Sequence, residues 1–177
     1  SLDKTYDGTG ASAQDVFFTN SGSFTVSGFS TNQCLTLTTE EWQYLFSYGT
    51  KYDNDIRRGK YKLEVTVCGK DNCIVLLPDN WTWGSNEDKG EYNYVEWKHM
   101  EAAGAVCLPA AGLRNGNSGG VGSVYIADVG ELGCYWSSSS YSSKNAAVLR
   151  FNSSNVNPRS SCSADQANSV RLVTVVK

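Results

Sequence analysis

The chain has little of what catalysis, metal binding or nucleic-acid binding draws on. A single histidine, His99, stands in 177 residues. With no second histidine to share a metal and no Ser-His-Asp arrangement legible, His99 reads as a helix-surface residue. The formal charge of -3 and a pI near 5.1 provide no basic stripe, so nucleic acid is not an expected partner. No apolar run reaches the roughly 18 residues of a membrane span. Ser1 opens no signal-peptide pattern, which leaves export undecided.

Other chemistries are missing too. The glycines at 112, 116, 119, 120 and 122 make a surface-loop composition, but Gly116 to Gly122 lacks the lysine and following helix of a phosphate-cradling loop. Calcium takes about six to eight oxygen ligands, and Gly133 to Lys177 contains one acid, Asp165. Asn86, Glu87, Asp88 and Glu91 read as a solvated charge run. No catalytic residue, metal or cofactor is expected.

Against these absences stand 40% hydrophobic and 12% aromatic residues, enough for a core. The length suits one domain over residues 1–177. Six cysteines match no zinc spacing. Cys68 and Cys73 bracket Gly69-Lys70-Asp71-Asn72, a turn between two apolar strands, where a disulfide and two free thiols are equally open. Cys34, Cys107 and Cys134 sit among apolar neighbours and read as small core hydrophobes.

Along the chain, residues 1–34 hold Gly/Ser/Thr clusters around short β-prone runs, Val16-Phe17-Phe18 and Phe24-Thr25-Val26. Thr38 with Glu41 predicts a capped helix whose apolar face is Trp42, Leu45 and Phe46, stopping by Gly49. Leu63, Val65 and Val67 alternate with Glu64 and Thr66, predicting a half-buried strand, and Ile74 to Leu77 a second. Asn93 with Glu96 predicts another capped helix, ended by Gly104. Short strands follow at Ala105–Pro109, Ser123–Ala127 and from Cys134, and Val170–Val176 predicts a buried closing strand that pairs with an N-terminal one. Strands, helix, strands, helix, then strands is the order of an α+β fold.

Residues 137–169 carry twelve serines and five asparagines. Alone, that bias suggests a linker. Yet Tyr135-Trp136 and Val170-Arg171-Leu172-Val173 flank it as core-grade strands, and Leu149 and Phe151 alternate with Val148 and Arg150 inside it. A polar segment pinned at both ends reads as displayed loops. Ser, Asn and Tyr are also residues that binding surfaces favour.

Several ordered motifs carry a resemblance over roughly residues 35–177. They are LTTEEW at Leu37–Trp42, LLPDNW at Leu76–Trp81, the run from Glu96 to Arg114, Gly133 to Tyr141 with its YWSSS, and SVRLV at Ser169–Val173. Together they resemble the Fibrobacter-type major paralogous domain, common in gut Bacteroidetes, of the formylglycine-generating-enzyme type of C-type lectin fold. The resemblance implies two helices with short, mostly antiparallel sheets.

Some members of that family are variable proteins of diversity-generating retroelements, in which template adenines are randomised. Such a member would use residues 133–177 as a variable ligand-binding region. The implied ligand-contacting residues are Tyr141 as an aromatic anchor, Ala147, Val148, Arg150, Arg159, Ser160, Ser161, Cys162, Ser163, Ala164 and Asp165. Arg, Ser, Cys, Ala, Asp and Val are all reachable from AAC or AAT codons, whereas Lys144 and Gln166 are not. Trp136, Phe151, Val170 and Leu172 would form the fixed frame. The implied partner is an unknown macromolecule, a protein or a surface glycan, met at the cell surface or after secretion, with a lipid anchor allowed. Two alternatives stay open: a non-diversified adhesin domain of the same fold, and a formylglycine-type copper oxidase using Cys68 and Cys73. Sugar stacking on Trp81, Trp83 or Tyr141 is compatible with the first.

Overall fold

A computed structural model of the chain describes residues 34–49, 57–84, 88–115, 125–163 and 166–174. The expected strands before residue 34, the glycine loop at 116–122, the charge-run residues Asn86 and Glu87, and the candidate contacts Ala164 and Asp165 lie outside the described residues.

Both helices start where their caps dictate. In α1 (Thr39–Leu45) the Thr38 side chain accepts the Glu41 N–H while the Glu41 carboxylate accepts the Thr38 N–H. In α2 (Tyr94–Ala102) Asn93 and Glu96 form the same reciprocal pair, so two otherwise orphaned donors are satisfied at each helix start. Gly104 follows α2 at φ +100°, the backbone region that ends a helix at least cost to glycine.

Four small sheets surround these helices among the described residues, which makes the fold α+β. Strand β1 (Cys34–Thr36) pairs antiparallel with β11 (Leu172–Thr174). Strands β2 (Tyr61–Val67), β3 (Lys70–Leu76), β4 (Glu91–Tyr92) and β5 (Val106–Leu108) form a sheet ordered β4-β2-β3-β5, antiparallel except between β2 and β4. Strands β6 (Leu113–Asn115) and β7 (Tyr125–Ala127) make a ribbon. Strands β8 (Gly133–Ser140), β9 (Asn145–Phe151) and β10 (Val156–Ser163) make an antiparallel sheet with β9 in the middle.

The main core lies between α1 and the sheets. Trp42, Phe46, Ile74, Leu76, Leu108, Tyr135, Leu149 and Phe151 form one buried cluster, with Tyr135 stacked on Phe151 at 6.1 Å between ring centroids. Gly133 is required beside them: a Cβ there would fall 2.1 Å from Phe151 Cζ. A second cluster of Val65, Val67, Cys73, Val75, Trp97 and Met100 sits under α2.

Three expectations change. The β2–β3 turn is the two residues Cys68-Gly69, at φ +51° and +75°, so Lys70 to Asn72 already belong to β3. This tight hairpin turn throws Cys68 into solvent while Cys73 is buried, and the two thiols are not a pair. The closing strand does pair with the strand at residue 34, as its β-branched run predicts, but it is less buried than expected. Val170 is exposed, and Leu172 and Val173 are half-buried.

The third change concerns β9. Its alternation suggested one buried and one displayed face; both faces are covered from Ala146 to Leu149, and Arg150 is exposed. Leu149 and Phe151 face the main core, while Val148 packs with Leu113, Leu132, Cys134 and Cys162 in a third cluster. The cover on that side comes from Leu113 of β6, from Leu132, and from the partly buried Ala127 of β7 and Trp136 of β8.

Candidate functional site

The serine run of β8 is what fixes α1 against the sheet. Thr39 N–H donates to Ser139 Oγ at 3.0 Å, the Thr39 and Ser137 hydroxyls meet at 3.3 Å, and Ser138 N–H donates to the Leu37 carbonyl at 3.0 Å. At the other end of α1, the buried Arg57 guanidinium donates to the Leu45 carbonyl and to the Leu77 carbonyl. The helix is thus held at both termini, with a polar side left facing the strand ends.

Between α1 and the β8–β10 sheet opens a cleft of about 810 Å³ lined by Thr39, Glu40, Gln43, Tyr48, Gly49, Ser139, Ser140, Tyr141, Ala147 and Arg159. Tyr141 sits on the β8–β9 turn, whose backbone closes when the N–H groups of Tyr141 and Ser142 donate to the Asn145 carbonyl. Tyr141 is 56% exposed, and Tyr48 on the helix side is 38% exposed. Arg159 is exposed on β10, its own N–H taken by Asn157 Oδ1 at 2.9 Å. Glu40 comes from the facing helix. The lining therefore offers a guanidinium, a carboxylate, two phenols, an amide and several hydroxyls. Such a set can hydrogen-bond in many directions and stack on an apolar or sugar face.

Of the residues the sequence proposed, the structure brings Tyr141, Ala147 and Arg159 to this cleft. Ala147 contributes only at its floor, being 2% exposed. Val148 and Cys162 are buried, at 0% and 7%, and are not displayed. The reason is the third cluster, which encloses that side of β9 and β10. Ser160 and Ser161 are half-buried opposite Val148 and Ala147, and Ser163 is exposed. Arg150 is exposed but does not line the cleft.

Part of the Ser/Asn bias is structural. Asn152 Oδ1 accepts the N–H groups of Ser154 and Asn155, and Ser142 Oγ accepts that of Asn145, side-chain turns that these residue types make readily. Glu40, Gln43 and Tyr48 carry no signal of their own in the sequence, because the polar side and end of a short helix look like an ordinary solvated face. Trp81 and Trp83 lie away from the cleft, half-buried and edge-to-face at 5.6 Å against the α2 cluster.

A family model described as a domain of unknown function, DUF8237, matches residues 78–173, more than half of the chain. The chain belongs to the DUF8237 family. The DUF8237 match takes in β4 through β10, including the sheet wall of the cleft, while α1, the opposite wall, precedes it. The chain matches no curated protein and no solved structure. Among the described residues no helix is long and apolar enough to cross a membrane.

Proposed function

We propose that this protein is a ligand-binding display protein that recognises a macromolecule, a protein or a surface glycan, through the cleft between α1 and the β8–β10 sheet. The observation that carries this reading is the convergence of Tyr141 and Arg159 in one open polar cleft over the Ala147 floor. Both also stand out in the sequence, where they interrupt a Ser/Asn-rich background. Arg and Tyr are residue types that concentrate binding energy when a ligand covers them.

The resemblance to retroelement variable proteins on a C-type lectin-like scaffold gives the cleft its biological meaning. On this reading the displayed set is Tyr141, Arg150, Arg159, Ser160, Ser161 and Ser163, with Val148 and Cys162 belonging to the frame. The work done is equilibrium recognition at the cell surface or after secretion, with no bond made or broken.

Two measurements test it. The coding DNA should show codons ending in C or T at 150, 159–161 and 163–165, and a nearby repeat of the segment for residues 133–177 differing at adenines. Immobilised protein screened against glycans and surface proteins should yield a ligand whose affinity drops at least about tenfold in the double variant Tyr141→Ser, Arg159→Ser. Unchanged affinity would refute the cleft as the site. A fixed adhesin domain of the same fold is the second reading, favoured by the structural use of Ser142 and Asn152, which needs no randomisation. Absence of the adenine-differing repeat, with binding retained at the cleft, selects it.

A further inference from the structure

The cleft between α1 and the β8–β10 sheet is lined by ten described residues. A stable protein interface covers about 800 Å² and roughly 20–30 residues on each side, around an apolar centre. Among the described lining residues there is no leucine, isoleucine, valine, methionine, phenylalanine or tryptophan. The apolar share comes from the rings of Tyr48 and Tyr141 and from the Ala147 floor. The volume of about 810 Å³ falls within the roughly 300–1,000 Å³ of small-ligand sites. Such sites are mostly apolar. This one is not, so it suits a compact ligand that is polar over most of its surface.

The groups left open in the cleft belong to side chains. The Gln43 amide and the Ser140 hydroxyl have no partner among the described residues. Ser139 Oγ accepts the Thr39 N–H and keeps its own hydrogen to donate. The main chain is more committed: the Tyr141 N–H goes to the Asn145 carbonyl and the Arg159 N–H to Asn157 Oδ1. A peptide adding itself as a strand would find those donors taken. A sugar ring instead offers C–H faces to the phenol rings and hydroxyl edges to the amide and hydroxyls.

Charge narrows the class further. Arg159 and Glu40 are the charged residues of the described lining, and they do not pair with each other. Glu40 has an interaction of its own. The Arg159 guanidinium has no partner among the described residues, and the side chain is exposed. A guanidinium presents its N–H donors in a planar fork that matches two oxygens of an anion. With the cleft read as the binding site, we propose that its ligand is an acidic oligosaccharide. Arg159 grips a carboxylate or sulfate on the sugar, and the ring faces lie on Tyr48 and Tyr141.

A panel of paired glycans tests this. Immobilised protein is offered sialyllactose, oligogalacturonate and sulfated lactose, beside plain lactose and the methyl esters of the first two. At least one anionic glycan should bind about tenfold or more tighter than its neutral counterpart. That preference should weaken as salt is raised and vanish in Arg159→Gln, whereas Tyr141→Ser should weaken charged and neutral forms alike. Preference within the carboxylated or the sulfated arm names the anion. Arg159 has no structural partner among the described residues, so Arg159→Gln should keep the thermal midpoint of the natural protein, which separates lost binding from lost fold.

Failure of the whole panel to bind, equal binding of charged and neutral members, or a preference that survives Arg159→Gln would each overturn the proposal. The cleft reading is judged separately. A protein ligand that binds the natural chain and is lost in the Tyr141→Ser, Arg159→Ser variant, with no glycan bound, leaves the cleft as the site and removes only the glycan. A ligand of any kind held equally well by that double variant removes both.

Discussion

Arg57 is the side chain on which the position of α1 turns, and its removal can be worked through. It is 2% exposed. Its guanidinium donates to the Leu77 carbonyl at 2.8 Å, to the Leu45 carbonyl at 3.1 and 3.3 Å, and to Asp79 Oδ1 at 2.7 Å. Leu45 ends α1, so its carbonyl has no intrahelical partner and Arg57 supplies one, as cations near helix C-termini do. Arg57→Met keeps most of the volume and removes every donor. Two carbonyls lose their partners at about 1–3 kcal/mol each. The Asp79 pairing adds only about 0–1 kcal/mol, because the Asp79 side chain is 54% exposed and screened by water. The sum centres on about 4 kcal/mol, a large share of the roughly 5–15 kcal/mol that holds a domain together. Denaturant unfolding followed by tryptophan fluorescence measures it, with Asp79→Asn expected to cost about 1 kcal/mol or less. The reasoning fails if Arg57→Met stays within about 1 kcal/mol of the natural protein. It fails equally if Asp79→Asn costs as much as Arg57→Met, since the ion pair and not the carbonyls would then be the source.

Burial separates residues that the sequence placed in one group. Val148→Asn loses the side chain's apolar burial and strands an amide in the third cluster, together about 3–5 kcal/mol, whereas Arg159→Ser should stay within about 0.5 kcal/mol. Equal costs in calorimetry would contradict the two-faced packing of β9. A third expectation concerns pH. The Lys89 ammonium, then the Asn93 N–H, hold the Glu96 carboxyl below the ordinary carboxylate range. A group depressed in the folded state adds stability above its unfolded pKa, and that contribution disappears as pH falls through the folded one. Stability of the Glu96→Gln variant should therefore fall less steeply than that of the natural protein on acidification from about pH 5 to pH 3. Identical acid profiles would show that the Lys89 contact is absent in solution.

The helix starts were legible because capping is local: Thr38 with Glu41 and Asn93 with Glu96 need nothing beyond four consecutive residues. The α+β order followed from the change of apolar period along the chain. What stayed hidden was long-range cover. The alternation within β9 implies one displayed face only if nothing lies over it, and Leu113 and Leu132 reach that face from elsewhere in the chain. Spacing drew attention to Cys68 and Cys73, but the two-residue turn at Cys68-Gly69, with φ positive at both, puts Cys68 at the tip. In the cleft, Tyr141 and Arg159 were readable because they interrupt a Ser/Asn background. Glu40, Gln43 and Tyr48 have no such contrast around them.

The β1–β11 ladder also bears on the order of assembly. Cys34 lies opposite Thr174, and the residue just after β1, Leu37, accepts the hydrogen bond that ties the start of α1 to β8. A chain leaving the ribosome makes β1 early and must hold it unpaired until β11 follows, since contacts this distant in sequence form slowly. The cleft, framed by α1 on one side and by late-made strands on the other, would thus be among the last features to take shape. A fragment of the chain that stops short of β10 would carry α1 and Tyr141 but lack Arg159, and so would offer its ligand only one wall of the cleft.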